Sequence, residues 1–137
     1  MSITLDGITL PEDLFWSDET APWKVGQTLS PTLSGALVIQ ESAMQVGRPI
    51  TLESQQNGNV YVAMVTRATV DALLAKEAVA GAAAMTLAIP RFNGSTSTFQ
   101  VRWRRTDGPA IEATPMTFAA PIAPTDWYSI TLRLVQV

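Results

Sequence analysis

Apolar and polar positions alternate with a period of two in several stretches of this chain, and one stretch follows a helical period instead. The clearest alternation is DWYSITLRLVQV, where Tyr128, Ile130, Leu132 and Leu134 take one parity and Ser129, Thr131, Arg133 and Val135 the other. Successive side chains of a strand point to opposite faces, so this spacing predicts a half-buried strand. STFQVRWRR carries the same signature, with Phe99, Val101 and Trp103 inward and Gln100, Arg102 and Arg104 outward. AMTLAIP and AIEATPMTFA read as further strands.

Turn chemistry separates these runs. Asp6-Gly7 between two ITL triplets predicts a small hairpin, and Asn57-Gly58 predicts a second one with VYVAMV as its return strand. Ala36 to Glu41 reads as a strand behind a bend or bulge at Gly35. After a turn near Gly47 a strand resumes through Ile50 and Leu52. Pro49 has no N–H to donate, so it confines that strand's start to an edge or a first position. From Leu10 to Pro31, acids, Pro11, Pro22 and two tryptophans predict a long structured loop.

The departure is TRATVDALLAKEAVAG. Val70, Leu73, Leu74 and Ala78 fall on one helical face, which predicts a helix over about residues 67–80. Thr66 or Thr69 can cap its start, Asp71 suits the positive end of its dipole, and Gly81 stops it. Strands, one helix, then strands predict a mainly β fold: a β-sandwich or barrel with a single helix packed against it, in one domain over residues 1–137.

VRWRRTDG, Val101 to Gly108, then poses a question, because arginine beside an aromatic is common in nucleic-acid binders. Parity puts Trp103 inside and Arg102 and Arg104 outside, so ring and cations do not share a surface. The net charge of −3 also argues against a phosphate-gripping protein. Placing Arg104 opposite Glu112 keeps the faces of the next strand in order. It predicts a loop over residues 107–109 and an exposed Arg104–Glu112 pair. The arginines then face water or a neighbouring subunit. Charged residues are 15% of the chain where about a quarter is usual, and so neutral a surface implies coverage by neighbours.

Little in the sequence points to chemistry. With no cysteine and no histidine, thiol nucleophiles, imidazole bases, disulfides and zinc-finger or iron–sulfur sites are excluded. No Gly-rich phosphate loop or nucleophile elbow is present. Lys24 and Lys76, the two lysines, read as solvated. Glu12, Asp13, Asp18 and Glu19 crowd one segment but lack the calcium-loop spacing, and read as solvated or partner-facing acids rather than a metal site. The N-terminus lacks the pattern of a signal peptide, and the most apolar window, Ala78 to Ile89, is too short to span a bilayer. The expectation is a soluble protein made inside the cell, with no enzyme activity, cofactor, metal or sequence-specific nucleic-acid binding and no membrane insertion. A second reading has Trp16, Trp23, Trp127 and Tyr128 lining a glycan or peptide groove.

SGALVIQESAMQVGRPITLES, the single helix, FQVRWRRTDGPAIEATPM and the closing DWYSITLRLVQV together resemble small tail proteins of long-tailed bacteriophages, in the group around the distal tail protein. The resemblance spans most of the chain. It implies a tail-tube-like β domain that forms a closed ring, with a hexamer expected, and joins the tail tube to the adsorption apparatus. It leaves open whether the chain sits in the tip ring, in the tube or in another minor tail component. The implied partners are further copies of the chain and other tail proteins, and the implied location is the virion tail, after synthesis in the host cytoplasm. On that view the candidate subunit contacts are Trp16, Trp23, Arg48, Arg102, Arg104, Arg105 and Trp127, with the Pro49 strand edge and the 10–31 loop as joints.

Overall fold

The computed structural model describes residues 2–57, 60–91, 93–116 and 123–137. The first hairpin pairs β1 (Ile3–Leu5) with β2 (Ile8–Leu10) around Asp6 and Gly7. Both turn residues have positive φ, 50° and 88°, as a two-residue turn matched to strand twist requires.

The segment from Leu10 to Pro31 is not one long loop. It contains β3 (Phe15–Trp16) and then β4 (Val25–Pro31). β4 pairs along its whole length with β5 (Leu37–Ala43), from Val25 opposite Ala43 to Pro31 opposite Leu37. Gly35, at φ +85°, closes the turn between them. This hairpin forms a sheet of its own, and every residue of both strands is exposed except the half-buried Gly26. It is an arm carried on the body.

The body continues with β6 (Pro49–Glu53), the small hairpin of β7 (Gln55–Asn57) and β8 (Val60–Val62), and β9 (Val65–Thr66). The expected second hairpin therefore forms, and its tip, residues 58–59, lies outside the described residues. Pro49 opens β6 as its chemistry demands, but that strand is not a free edge. β13 lies on one side, and β3 covers its end on the other, pairing Trp16 with Leu52.

Helix α1 (Arg67–Glu77) ends earlier than the sequence implies, and its face is narrower. Val70 and Leu73 are buried, while Leu74 and Ala78 face solvent. Thr66 has extended N-cap backbone, but neither threonine hydroxyl bonds an open N–H. Their side chains meet each other at 3.3 Å. The first donors go instead to backbone of the segment leading into β13: Arg67 N–H to the Asp126 carbonyl and Ala68 N–H to Pro124. Asp71 lies in the second turn and pairs with Arg67 at 2.9 Å, so it does not act on the dipole's positive end.

β10 (Met85–Pro90), β11 (Thr96–Trp103), β12 (Ile111–Pro115) and β13 (Trp127–Gln136) complete the chain. The main sheet runs β2-β1-β10-β11-β13-β6-β3, with β12 and β9 also on β13. Inward residues from all parts of it meet in one core with Val70 and Leu73, including Leu5, Leu52, Leu87, Val101, Ile130 and Leu132. The sheet therefore rolls into a barrel-like shell. The helix lies beside β12, β9, β13 and β2. The fold is mainly β with one flanking helix.

β13 organises this shell because its neighbours change along both edges. On one edge β11 covers residues 134–136 and β12 covers 128–132. On the other β6 covers 131–135 and β9 covers 127–128. β11 and β12 thus do not form a hairpin with each other, and the expected Arg104–Glu112 pair is absent. Chain 104–110 crosses over so that two collinear strands share one edge of β13.

Candidate functional site

Two surfaces gather the residues singled out from the sequence. The first is the crossover itself. At the gap between β11 and β12, the Arg133 N–H donates to the Ala110 carbonyl and the Arg133 carbonyl accepts from the Arg104 N–H. The Arg133 side chain donates to the Pro109 carbonyl at 2.7 Å and lies 3.2 Å from Glu112, taking the carboxylate that register arguments give to Arg104.

Arg104 turns across β13 instead. It donates to Thr51 Oγ1 on β6 at 2.9 Å, to the Leu134 carbonyl at 3.3 Å and to Asp107 at 3.0 Å, and its side chain is only 15% exposed. Asp18 closes the network by accepting from the Thr51 N–H and hydroxyl. An arginine with this many partners is a clasp between strands, and little of it is open to another molecule. Arg105 donates to the Glu77 carbonyl at 2.7 Å and so finishes α1 at its C-terminus, where a cation suits both open carbonyls and dipole. Of the three arginines in VRWRRTDG, Arg102 alone is exposed with a side chain that has no hydrogen bond or ion pair among the described residues.

The second surface is the root of the arm. Trp16, on β3, is 7% exposed and belongs to the core, so it offers almost nothing to a partner. Arg48 stands 4.6 Å from its ring centroid and Arg91 5.3 Å, and Phe99 meets its edge at 5.6 Å. Arg48 is also 5.9 Å from the half-buried Trp23 and donates to the Glu19 carbonyl. Glu19 in turn pairs with Arg91 at 2.8 Å. One guanidinium thus ties both legs of the arm, residues 19–24 and 44–48, to the barrel. The backbone agrees: Met44 N–H donates to the Lys24 carbonyl, and Gln136 N–H to Arg48. This cation–π cluster comes from distant segments and has no signature in local spacing.

Of the acids at 12–19, Asp18 and Glu19 serve these two clasps. Among the described residues no group of three or more potential metal ligands gathers. Lys76 is not purely solvated, since it pairs with Asp6 of the first turn at 2.8 Å. Arg67 is held above its ordinary pKa, first by the Tyr128 hydroxyl and then by Asp71. Trp127 is 55% exposed and borders a shallow depression of about 750 Å³ with Met64 and Met116.

The strand read at Ala36–Glu41 forms as β5, but its partner β4, and with it the arm, is the largest feature that sequence reasoning missed. One face presents Val25, Leu29, Pro31, Leu37, Ile39 and Ala43, interrupted by the hydrogen-bonded Gln27–Glu41 row. The other presents Gly26, Thr28, Ser30, Val38, Gln40 and Ser42. Leu33 at the tip is fully exposed.

No protein-family model, no curated protein and no solved structure matches this chain. Among the described residues no helix is long and apolar enough to cross a membrane.

Proposed function

We propose that the chain is a structural virion protein: a ring-forming subunit of a bacteriophage tail tip, joining the tail tube to the adsorption apparatus. The observation that carries this reading is the β4–β5 arm. A two-stranded hairpin is marginal by itself in water, and one that leaves Val25, Leu29, Leu37 and Ile39 exposed gains its stability from something that covers them. A subunit built to be surrounded by copies of itself and by other tail proteins has that requirement. The low charge content and the resemblance of the strand sequences to small tail proteins support the same reading. The role is to hold a shape, and it assigns the chain no reaction.

The test is electron microscopy of the purified chain, and of virions carrying a labelled copy. Closed rings, and label at the end of the tail adjoining the adsorption apparatus, are expected. A monodisperse monomer at high concentration that binds no tail protein overturns the reading.

The exposed Trp127 beside its depression favours a second reading, a module binding a glycan or peptide, over one built on the buried Trp16. Binding on a glycan or peptide array that Trp127→Ala abolishes would establish it.

A further inference from the structure

Two charged groups on this surface stand in apolar surroundings without a counter-ion. Glu41 is the one ionisable side chain between Val25 and Val46, and its partner on the arm is the neutral Gln27. Arg102 is exposed on β11, and its side chain has no ion pair or hydrogen bond among the described residues. It stands at the rim of a cavity of about 270 Å³ lined by Val79, Ala82, Met85 and Trp103, room for one or two aliphatic side chains. Each surface has what the other lacks: an apolar strip with one carboxylate, and a largely apolar hollow where Arg105 is already engaged by Glu77 and Arg102 has no counter-ion.

We propose that the arm of one copy docks on the Arg102 rim of the next copy, with Glu41 against Arg102 and Ile39 and Leu37 over the hollow. This rests on the assembly reading above and specifies its joint. A nucleic acid is a poor occupant, because the arm carries no cation. An arm-to-arm pair is disfavoured too: it would place each Glu41 carboxylate against its twin or under apolar groups, uncompensated. Area points the same way. Strands of seven residues reach about 23 Å, so one face of the arm covers only a few hundred Å². A stable interface takes about 800 Å² per partner. A head-to-tail arrangement answers this, since every copy both gives an arm and receives one, and such a contact closes into a ring when its rotation closes.

The experiment is a charge swap in the full chain, read by sedimentation velocity over a range of concentrations. Both positions are exposed on the surface, and unchanged thermal unfolding of the monomer checks that the variants fold. Glu41→Arg alone and Arg102→Glu alone each set like charges together, and each should weaken association by roughly thirtyfold or more. An equimolar mixture of the two should restore it, because every joint of an alternating assembly then pairs a cation with a carboxylate. The chain has no cysteine, so a bismaleimide gives a clean second readout. Glu41→Cys mixed with Arg102→Cys should cross-link to a dimer, and a chain carrying both should give a ladder.

Single variants that associate like the parent overturn the docking while leaving assembly intact. Cross-linking of Glu41→Cys to itself overturns it in favour of an arm-to-arm contact. A parent chain that stays monomeric at every concentration, with or without other tail proteins, removes the assembly reading and the docking together.

Discussion

Arg133 Nη1 lies 3.2 Å from the Glu112 carboxylate and 2.7 Å from the Pro109 carbonyl, across the gap where β11 gives way to β12 beside β13. One side chain thereby fixes the landing point of the crossover. Glu112 is half-exposed, so its ion pair is worth at most about 1 kcal/mol, whereas the bond to the Pro109 carbonyl orders the loop itself. Arg133→Met should cost about 1–2 kcal/mol in urea denaturation and Glu112→Gln less than half of that. Equal losses would mean that the ion pair, rather than the carbonyl bond, sets the crossover.

The opposite edge of β13 has its own gap, between β6 and β9, and Ser54 fills it. Its N–H donates to the Ile130 carbonyl, and its hydroxyl accepts from the Ile130 N–H and donates to the Ala63 carbonyl. Ser54→Ala should destabilise the fold by about 1–2 kcal/mol. Hydrogen exchange should show lost protection at Ile130 before its neighbours.

Arg48→Met removes the cation from the Trp16, Trp23 and Glu19 cluster. A partly desolvated cation–π contact is worth about 1–2 kcal/mol. The larger effect should be local: faster exchange over residues 19–24 and 44–48, with a shift in tryptophan fluorescence, while the barrel amides stay protected. Uniform loss of protection would place Arg48 in the general stability of the shell rather than at the root of the arm.

Core and arm should respond in opposite ways to apolar truncation. Leu132→Ala opens a cavity at a fully buried position and should cost about 2–5 kcal/mol. Ile39→Thr keeps a branched residue on an exposed strand and should change monomer stability by no more than about 0.5 kcal/mol. It should nonetheless reduce self-association in sedimentation, and a variant that associates as well as the parent would remove the arm from the contact.

What was legible in the sequence was what burial or a turn writes locally. The Asp6-Gly7 turn and the alternation of Tyr128, Ile130, Leu132 and Leu134 each need only neighbours in sequence, and both appear as read. β4 was invisible for the converse reason. VGQTLSP buries neither face, and alternation reports burial rather than extended backbone. The Arg104–Glu112 register failed because strands adjacent in sequence were assumed to pair. The partner of both is β13, a choice made by the tertiary sheet. Parity turned Trp103 toward the core, where it is half-buried, and Arg102 outward, yet the two still border the same hollow. Nothing local distinguishes the free Arg102 from Arg104, which ties three strands, or from Arg105, which closes a helix.

β13 has consequences for synthesis. It leaves the ribosome after all four of the strands it pairs with, β11, β12, β6 and β9. Until it arrives, none of those four has that partner, and the inward leucines of β6 and β10 have no lid. Long-range pairing of this kind is slow to nucleate. The nascent chain therefore stays open until β13 has emerged, and closure of the shell waits on this ten-residue strand. During that interval the uncovered core residues and the exposed Leu29 and Ile39 of the emerged arm are open to a chaperone together, and only the arm stays so once β13 is in place.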